Sequence, residues 1–184
     1  MPVLDAECDL LPETLFDQDP PAGDGVWWLA HTRPRQEKAL ARDMVVAGLS
    51  FYLPCTPHRI RVRKRIVTSR IPLFSGYVFI HVNEDDRMRV FAGGRVARIT
   101  PVRDQVLLWN DLRNVRRVLD LGQPVEPADC LTAGTTVSIR TGPLAGMTGT
   151  IVRSAGGTRF IVRVDLIQRG ISVVVDAKTL GKLG

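Results

Sequence analysis

Little in this chain points to catalysis, metal binding or export. Cysteine is scarce: Cys8, Cys55 and Cys130 stand far apart and form no C-x-x-C spacing. That argues against a disulfide framework or a zinc site and suits a reducing cytoplasm. The three histidines, His31, His58 and His81, include no pair at ligand spacing, so no metal or other cofactor is expected. No apolar run nears the roughly 20 residues a membrane helix needs, so no membrane partner is expected. The N-terminus lacks the basic start and apolar core of a signal peptide. Paired carboxylates in a glycine-framed cleft, a nucleophile elbow and a P-loop are all missing, so no catalytic residue is named and an enzyme is not expected.

Basic residues are missing from positions 1–25, which hold seven acids: Asp5, Glu7, Asp9, Glu13, Asp17, Asp19 and Asp24. The whole chain carries 25 Lys and Arg against 19 acids, a net of +6. Setting those seven aside leaves 12 acids over residues 26–184, a net of +13. A body that basic is a candidate for a polyanionic partner, although charge alone does not identify one. The leader 1–25, acidic and broken by Pro20-Pro21, is expected to be disordered. It is read either as a solvated tail or as a screen that keeps the basic body off non-specific nucleic acid.

After the leader, "VWWLAHT" (26–32) has the texture of a strand. "RPRQEKALARDMVVAG" follows as a helix, with Pro34 in its first turn, Leu40, Met44 and Ala47 at helical spacing, and Gly48 as the stop. "FYLPC" is a short strand. "HRIRVRKRIVTSR" (58–70) alternates basic with β-branched residues, the pattern of a hairpin arm or a solvated edge. "PLFSGYVFI" (72–80) is apolar on both sides of a strand, with Val78, Ile80 and Val82 on one and Tyr77 and Phe79 on the other. "NEDDRMRVFAGG" is a short helix capped by Asn83 and stopped by Gly93-Gly94. "VARITPV" is a strand, and "NDLRNVRRVLDLG" a helix capped by Asn110.

These elements give an α+β fold: an N-terminal antiparallel sheet with flanking helices over 26–120. Pro124 and Pro127 mark a linker at 121–131. From 132 to 184, short β-rich runs alternate with Gly and Pro punctuation, as in a small β-barrel.

"TTVSIRTGPLAGMTGTIV" places Gly142, Gly146 and Gly149 around a Pro143 turn between two strands. As a whole string it resembles the KOW motif that opens an SH3-like barrel. "WWLAHTRPRQEKALARDM", "FYLPC" and "PLFSGYVFIHV" resemble, in order and spacing, the N-terminal domain of the NusG/Spt5 transcription elongation and antitermination factors. Trp28 stands where that family usually has Tyr, and Ser75 where it has Pro. The resemblance covers about 26–184.

The resemblance implies an apolar pocket for the clamp helices of bacterial RNA polymerase, formed at Tyr77, Phe79, Phe74 and Trp27. The alternative is that these aromatics fill the domain's own core, the commoner fate of a large apolar residue. It also implies contact with exposed non-template or upstream DNA near Arg33 and Arg35. Beside them, Arg59, Arg61, Arg63 and Arg65 fall along one face of a strand, with Lys64 between, a spacing suited to tracking phosphates. The bland reading is a charged, solvated edge. In the barrel, Leu166 and Ile167 match the segment that binds a small-subunit ribosomal protein or the termination factor Rho. Ile167, where general members carry Phe, could equally be barrel core, and it tilts the likeness toward a specialised paralogue of the RfaH-like kind. The segment "DDRMR" (85–89) falls where specialised relatives touch the rim of the polymerase cleft. Some such relatives hold this domain as a helical hairpin, but the β-branched content here favours a barrel. A monomer is expected. The competing reading is a KOW-containing ribosomal or ribosome-assembly protein that binds RNA.

Overall fold

The computed structural model describes residues 8–17, 24–62, 65–129, 134–154 and 157–182. The chain divides into two compact units, Met1–Gln105 and Val106–Gly184. In the first unit the elements run β1 (Leu10–Leu11), β2 (Val26–Thr32), α1 (Glu37–Ala47), β3 (Ser50–Tyr52), β4 (Cys55–Val62), β5 (Arg65–Pro72), β6 (Tyr77–Val82), α2 (Glu84–Ala92) and β7 (Val96–Pro101). Five strands form an antiparallel sheet in the order β1-β3-β6-β2-β7, while β4 and β5 pair only with each other as a two-stranded ribbon.

Central position explains β6. Flanked by β3 and β2, it is buried from Val78 to Val82 on both sides of its pleat. On one side, Val78, Ile80 and Val82 join Ala30 and Phe51 against Leu40, Ala41 and Met44 of α1 and Val90 of α2. These helix residues recur every three or four positions, so one stripe of α1 meets the aliphatic side of the sheet. α1 ends at Gly48 in a left-handed conformation (φ 66°). Its start is later than Pro34 suggests, because Arg35 takes φ 60° and breaks helical continuity ahead of Glu37. α2 starts as expected, with Asn83 Oδ1 accepting from the Asp86 amide at 2.9 Å.

The disordered leader needs correction for Cys8–Asp17. Leu10 and Leu11 pair with Tyr52 and Phe51, adding a strand to the edge of β3. Leu15 and Phe16 are buried. Four apolar side chains in eight residues outweigh the local acidity once a sheet edge is there to receive them.

The helix expected to be capped by Asn110 instead spans α3 (Gln105–Asp120), with Asn110 inside it donating to the Val106 carbonyl. Gln105 holds its start: the side-chain amide donates to the Trp27 and Val102 carbonyls and accepts from the Trp27 amide. Beyond Gln105, α3 falls in the second unit, whereas the sequence places it with the first. Its Arg117 donates to the carbonyls of Pro143 and Ala145 at 3.0 and 3.1 Å, and its Asp111 carboxylate accepts from the Asp165 amide at 3.0 Å.

The rest of the second unit is β8 (Val125–Asp129), β9 (Thr135–Ile139), β10 (Thr148–Ser154), β11 (Gly157–Val164), β12 (Arg169–Val174) and β13 (Leu180–Lys182), with 3-10 turns at Asp165–Ile167 and Ala177–Thr179. They form one antiparallel sheet in the order β13-β9-β10-β11-β12-β8 around Val137, Ile139, Phe160, Val162, Val164 and Ile171. Among the described residues after Asp120 there is no α-helix. The expected linker is also corrected, because β8 lies within it and pairs with β12. Pro127 is tolerated there because β8 is an edge strand. Gly142 and Gly146 have φ 88° and 84° in the turn before β10. At Gly149 a Cβ would meet the Ile161 carbonyl at 2.5 Å, so the strand backbones approach too closely for any side chain.

Candidate functional site

The second side of the five-stranded sheet is aromatic. Register sets Tyr52 opposite Phe79, Phe79 opposite Leu29, Trp27 opposite His81, and Tyr77 opposite His31, which in turn faces Arg98. Directly paired residues share a side of the pleat, so these side chains form one surface. It is closed at one end and open at the other. Trp27, Tyr52, Phe79 and His81 are buried, whereas Tyr77 and His31 are half-buried and Arg98 is exposed.

At the closed end Phe16 supplies a cover within the first unit. Its ring stacks on Trp27 (centroids 6.1 Å, planes 9° apart) and meets the Tyr52 ring edge-on at 5.1 Å. Trp27 lies on β2 and Tyr52 on β3, so Phe16 bridges the two strands that flank β6. Trp27 also packs edge-on against His81 at 5.1 Å. Its indole N–H is buried and finds no acceptor among the described residues. Burial pushes the His81 pKa below its ordinary value.

At the open end the His31 and Tyr77 rings meet edge-on at 5.0 Å. The His31 Nε2 lies 3.3 Å from Arg98 Nη2 and 3.2 Å from Thr100 Oγ1. Arginine can only donate, so Nε2 is the accepting nitrogen of a neutral ring. Burial and the Arg98 charge both lower the His31 pKa, which agrees with that form. The turn into β6 is held from below: Gly76, at φ 85°, donates its amide to the buried Glu37 carboxylate at 2.7 Å and accepts from the Thr32 amide at 2.9 Å. Ser75, where the resembled family has Pro, is exposed in that turn.

Of the aromatic residues singled out from the sequence, only Tyr77 is partly exposed. Phe74 is buried edge-on against Phe79 at 6.2 Å, and Trp27 and Phe79 are buried as well. The expectation of an open pocket at all four therefore meets a face already covered over three of them.

The basic run forms two arms of a ribbon, and positions 59, 61 and 65 do not lie along the one face expected for them. Pairing of Val62 with Arg65 and of Arg61 with Ile66 sets 55–62 and 65–72 antiparallel. Positions 59 and 61 thus share one side of the pleat with position 70, and position 65 falls on the other. Arg61 is exposed, while the side chains of Arg59 and Arg65, and Arg63 and Lys64 entirely, lie outside the described residues. Arg70 forms an ion pair with Asp9 of the leader, a contact the sequence reading missed. Arg33 and Arg35 are exposed in the loop before α1. In "DDRMR", Arg89 pairs with Asp86 at 2.7 Å and Arg87 lies 5.0 Å over the Trp28 ring.

In the second unit Leu166 is exposed, but Ile167, its expected companion, is buried in the sheet's core. Among the described residues no cluster of His, Cys, Asp or Glu could hold a metal ion, and no helix is long and apolar enough to cross a membrane.

A family model described as NusG, "Transcription termination factor nusG", matches residues 25–128, more than half of the chain. No curated protein matches it.

Proposed function

The chain belongs to the NusG family of transcription elongation and termination factors, and on that premise we propose that it is a non-catalytic factor that docks on the clamp helices of bacterial RNA polymerase through the aromatic side of its first sheet. The observation that carries this reading is the open end of that face. Tyr77 stands there half-buried beside His31, which separates it from Arg98 on the next strand, and it follows a turn anchored on Glu37. A large aromatic on a rigid, largely desolvated surface with a polar rim is the makeup of an interface hot spot.

Docked in this way, the first unit brings Arg33, Arg35 and the ribbon at Arg61 toward exposed non-template or upstream DNA. Phosphate contact there is sequence-independent and salt-sensitive. Tighter binding to the elongating polymerase than to the paused one shifts the population toward elongation. The second unit acts as a KOW module of SH3-like form. Through Leu166, beside the buried Ile167, it recruits a small-subunit ribosomal protein or Rho, and its covalent link to the docked unit raises the local concentration. An aliphatic Ile167 where general members carry Phe favours a specialised, RfaH-like paralogue.

The test is retention on bacterial core RNA polymerase against ribosomal subunits, for wild type and Tyr77→Ala. Wild type is expected on polymerase, and Tyr77→Ala to lose at least about tenfold in affinity with an unchanged circular dichroism spectrum. Retention on ribosomal subunits alone, indifferent to Tyr77, overturns the docking reading in favour of a ribosomal KOW protein.

A further inference from the structure

Phe16 lies on a face that the proposed function needs, and the segment bearing it is thinly held. β1 contributes two paired residues to the edge of β3, supported by the Leu53 amide donating to the Asp9 carbonyl at 2.7 Å. Asp9 pairs with Arg70 at the base of the basic ribbon. Leu15 and Phe16 complete the attachment. Beside the segment's start, an apolar groove of about 260 Å³ stays open between Cys8 and the α1 residues Ala41, Val45 and Val46. The Trp27 indole N–H, buried beneath Phe16, gains no acceptor among the described residues. A buried donor left unpaired is costly, so this cover satisfies the face only in part.

We propose that residues Asp9–Asp17 form an internal competitor, a strap that occupies the aromatic face and one arginine of the ribbon until a partner displaces it. The strap's own chemistry defines the partner segment: a large apolar side chain to replace Phe16 over Trp27 and Tyr52, a carboxylate to replace Asp9 on Arg70, and a carbonyl or carboxylate within reach of the Trp27 indole. The last group is what the strap lacks, and it gives the displacing segment its advantage. The proposal rests on the docking reading above, with the clamp of RNA polymerase as the displacing partner. Release exposes the aromatic face and frees Arg70 together, so protein docking and the charge of the ribbon are coupled through one segment. A short element with few backbone hydrogen bonds belongs to the low-stability end of a fold, where opening is cheap.

The experiment titrates core RNA polymerase with full-length wild type, Leu15→Ala/Phe16→Ala and Asp9→Asn. Because affinity scales with the fraction of molecules already open, the double variant is expected to bind about tenfold more tightly and Asp9→Asn about two- to threefold. A synthetic peptide of residues 8–17, in excess, is expected to weaken binding of the double variant. Where circular dichroism shows the double variant misfolded, Asp9→Asn and the peptide, added to wild type, decide the matter. Wild-type affinity in both variants and no effect of the peptide, with Tyr77→Ala still defective, overturns the strap and leaves the docking reading standing. Failure of wild type and variants alike to bind polymerase overturns both.

Discussion

The two sides of the first sheet share the same strands yet solve burial differently. Ala30, Phe51, Val78, Ile80 and Val82 meet α1 and α2, with Trp28 packed beside them, and among the described residues that side is mostly aliphatic, helix-covered and free of histidine. Trp27, Tyr52, Tyr77, Phe79 and His81 form the other side, which is aromatic, carries two histidines with lowered pKa values, and grades from buried to half-exposed. Aliphatic side chains bring no polar atoms, and the Trp28 indole N–H on that side donates to the Val82 carbonyl at 3.2 Å, so helices can seal over it with nothing left to satisfy. Aromatic side chains with N–H and O–H groups need partners, and the Trp27 indole N–H has none among the described residues. One side is built for permanence. The other, on the reading proposed above, changes partners.

Three measurements test that contrast. The largest effect belongs to Ile80→Ala on the aliphatic side, expected to cost roughly 3 kcal/mol in urea denaturation because a fully buried site leaves a cavity. A loss below about 1 kcal/mol, under what such a cavity costs, would show that this side is as loosely held as its opposite.

Next is Phe16→Ala. It removes a ring from the edge of the aromatic side, with an expected loss of about 2 kcal/mol. The signature lies in hydrogen exchange: the amides of Leu53 and β1 should lose protection while those of β2 and β6 keep theirs. Uniform loss across the sheet would make the leader part of the permanent core.

The smallest effect is a pH dependence carried by the aromatic side alone. His81 has a lowered pKa in the folded state, so below about pH 6.5 the unfolded chain takes up a proton that the folded chain resists. The contribution is intact above that value and is lost as pH falls toward the lowered folded pKa. His31 acts with the same sign. The thermal midpoint of wild type should therefore drop more between pH 7.5 and 5.5 than that of His81→Gln. Equal drops would mean that the imidazole is solvated.

Much of the fold is legible in the residues. β2 and β6 declare themselves as short runs rich in aromatic and β-branched residues, α2 by its Asn83 cap, and the turn before β10 by Gly142 and Gly146. The family resemblance on "WWLAHT" and "PLFSGYVFI" agrees with the match over 25–128. Other features are hidden for physical reasons. The start of α3 depends on a Gln105 side chain reaching Trp27, distant in sequence, and no local cap signal reports it. β8 is masked by prolines that only an edge position can tolerate. The basic run reads as one charged face until the register of β4 on β5 divides it between two arms.

What the sequence determined by itself is the set of local choices: where chain reverses, which strand is apolar on both sides, and how the charge divides between leader and body. Periodicity, turn chemistry and charge act over a few residues and can be read without knowing what lies across the sheet. Which surface each apolar residue meets is settled only when the chain folds. Leu15 and Phe16 in an acidic leader become a cover for Trp27 and Tyr52, Ile167 turns inward while Leu166 stays out, and of four aromatic candidates Tyr77 alone keeps a partly open edge. Burial is a relation between segments distant in sequence, and hydrophobicity sets how strongly a residue seeks cover without naming what provides it.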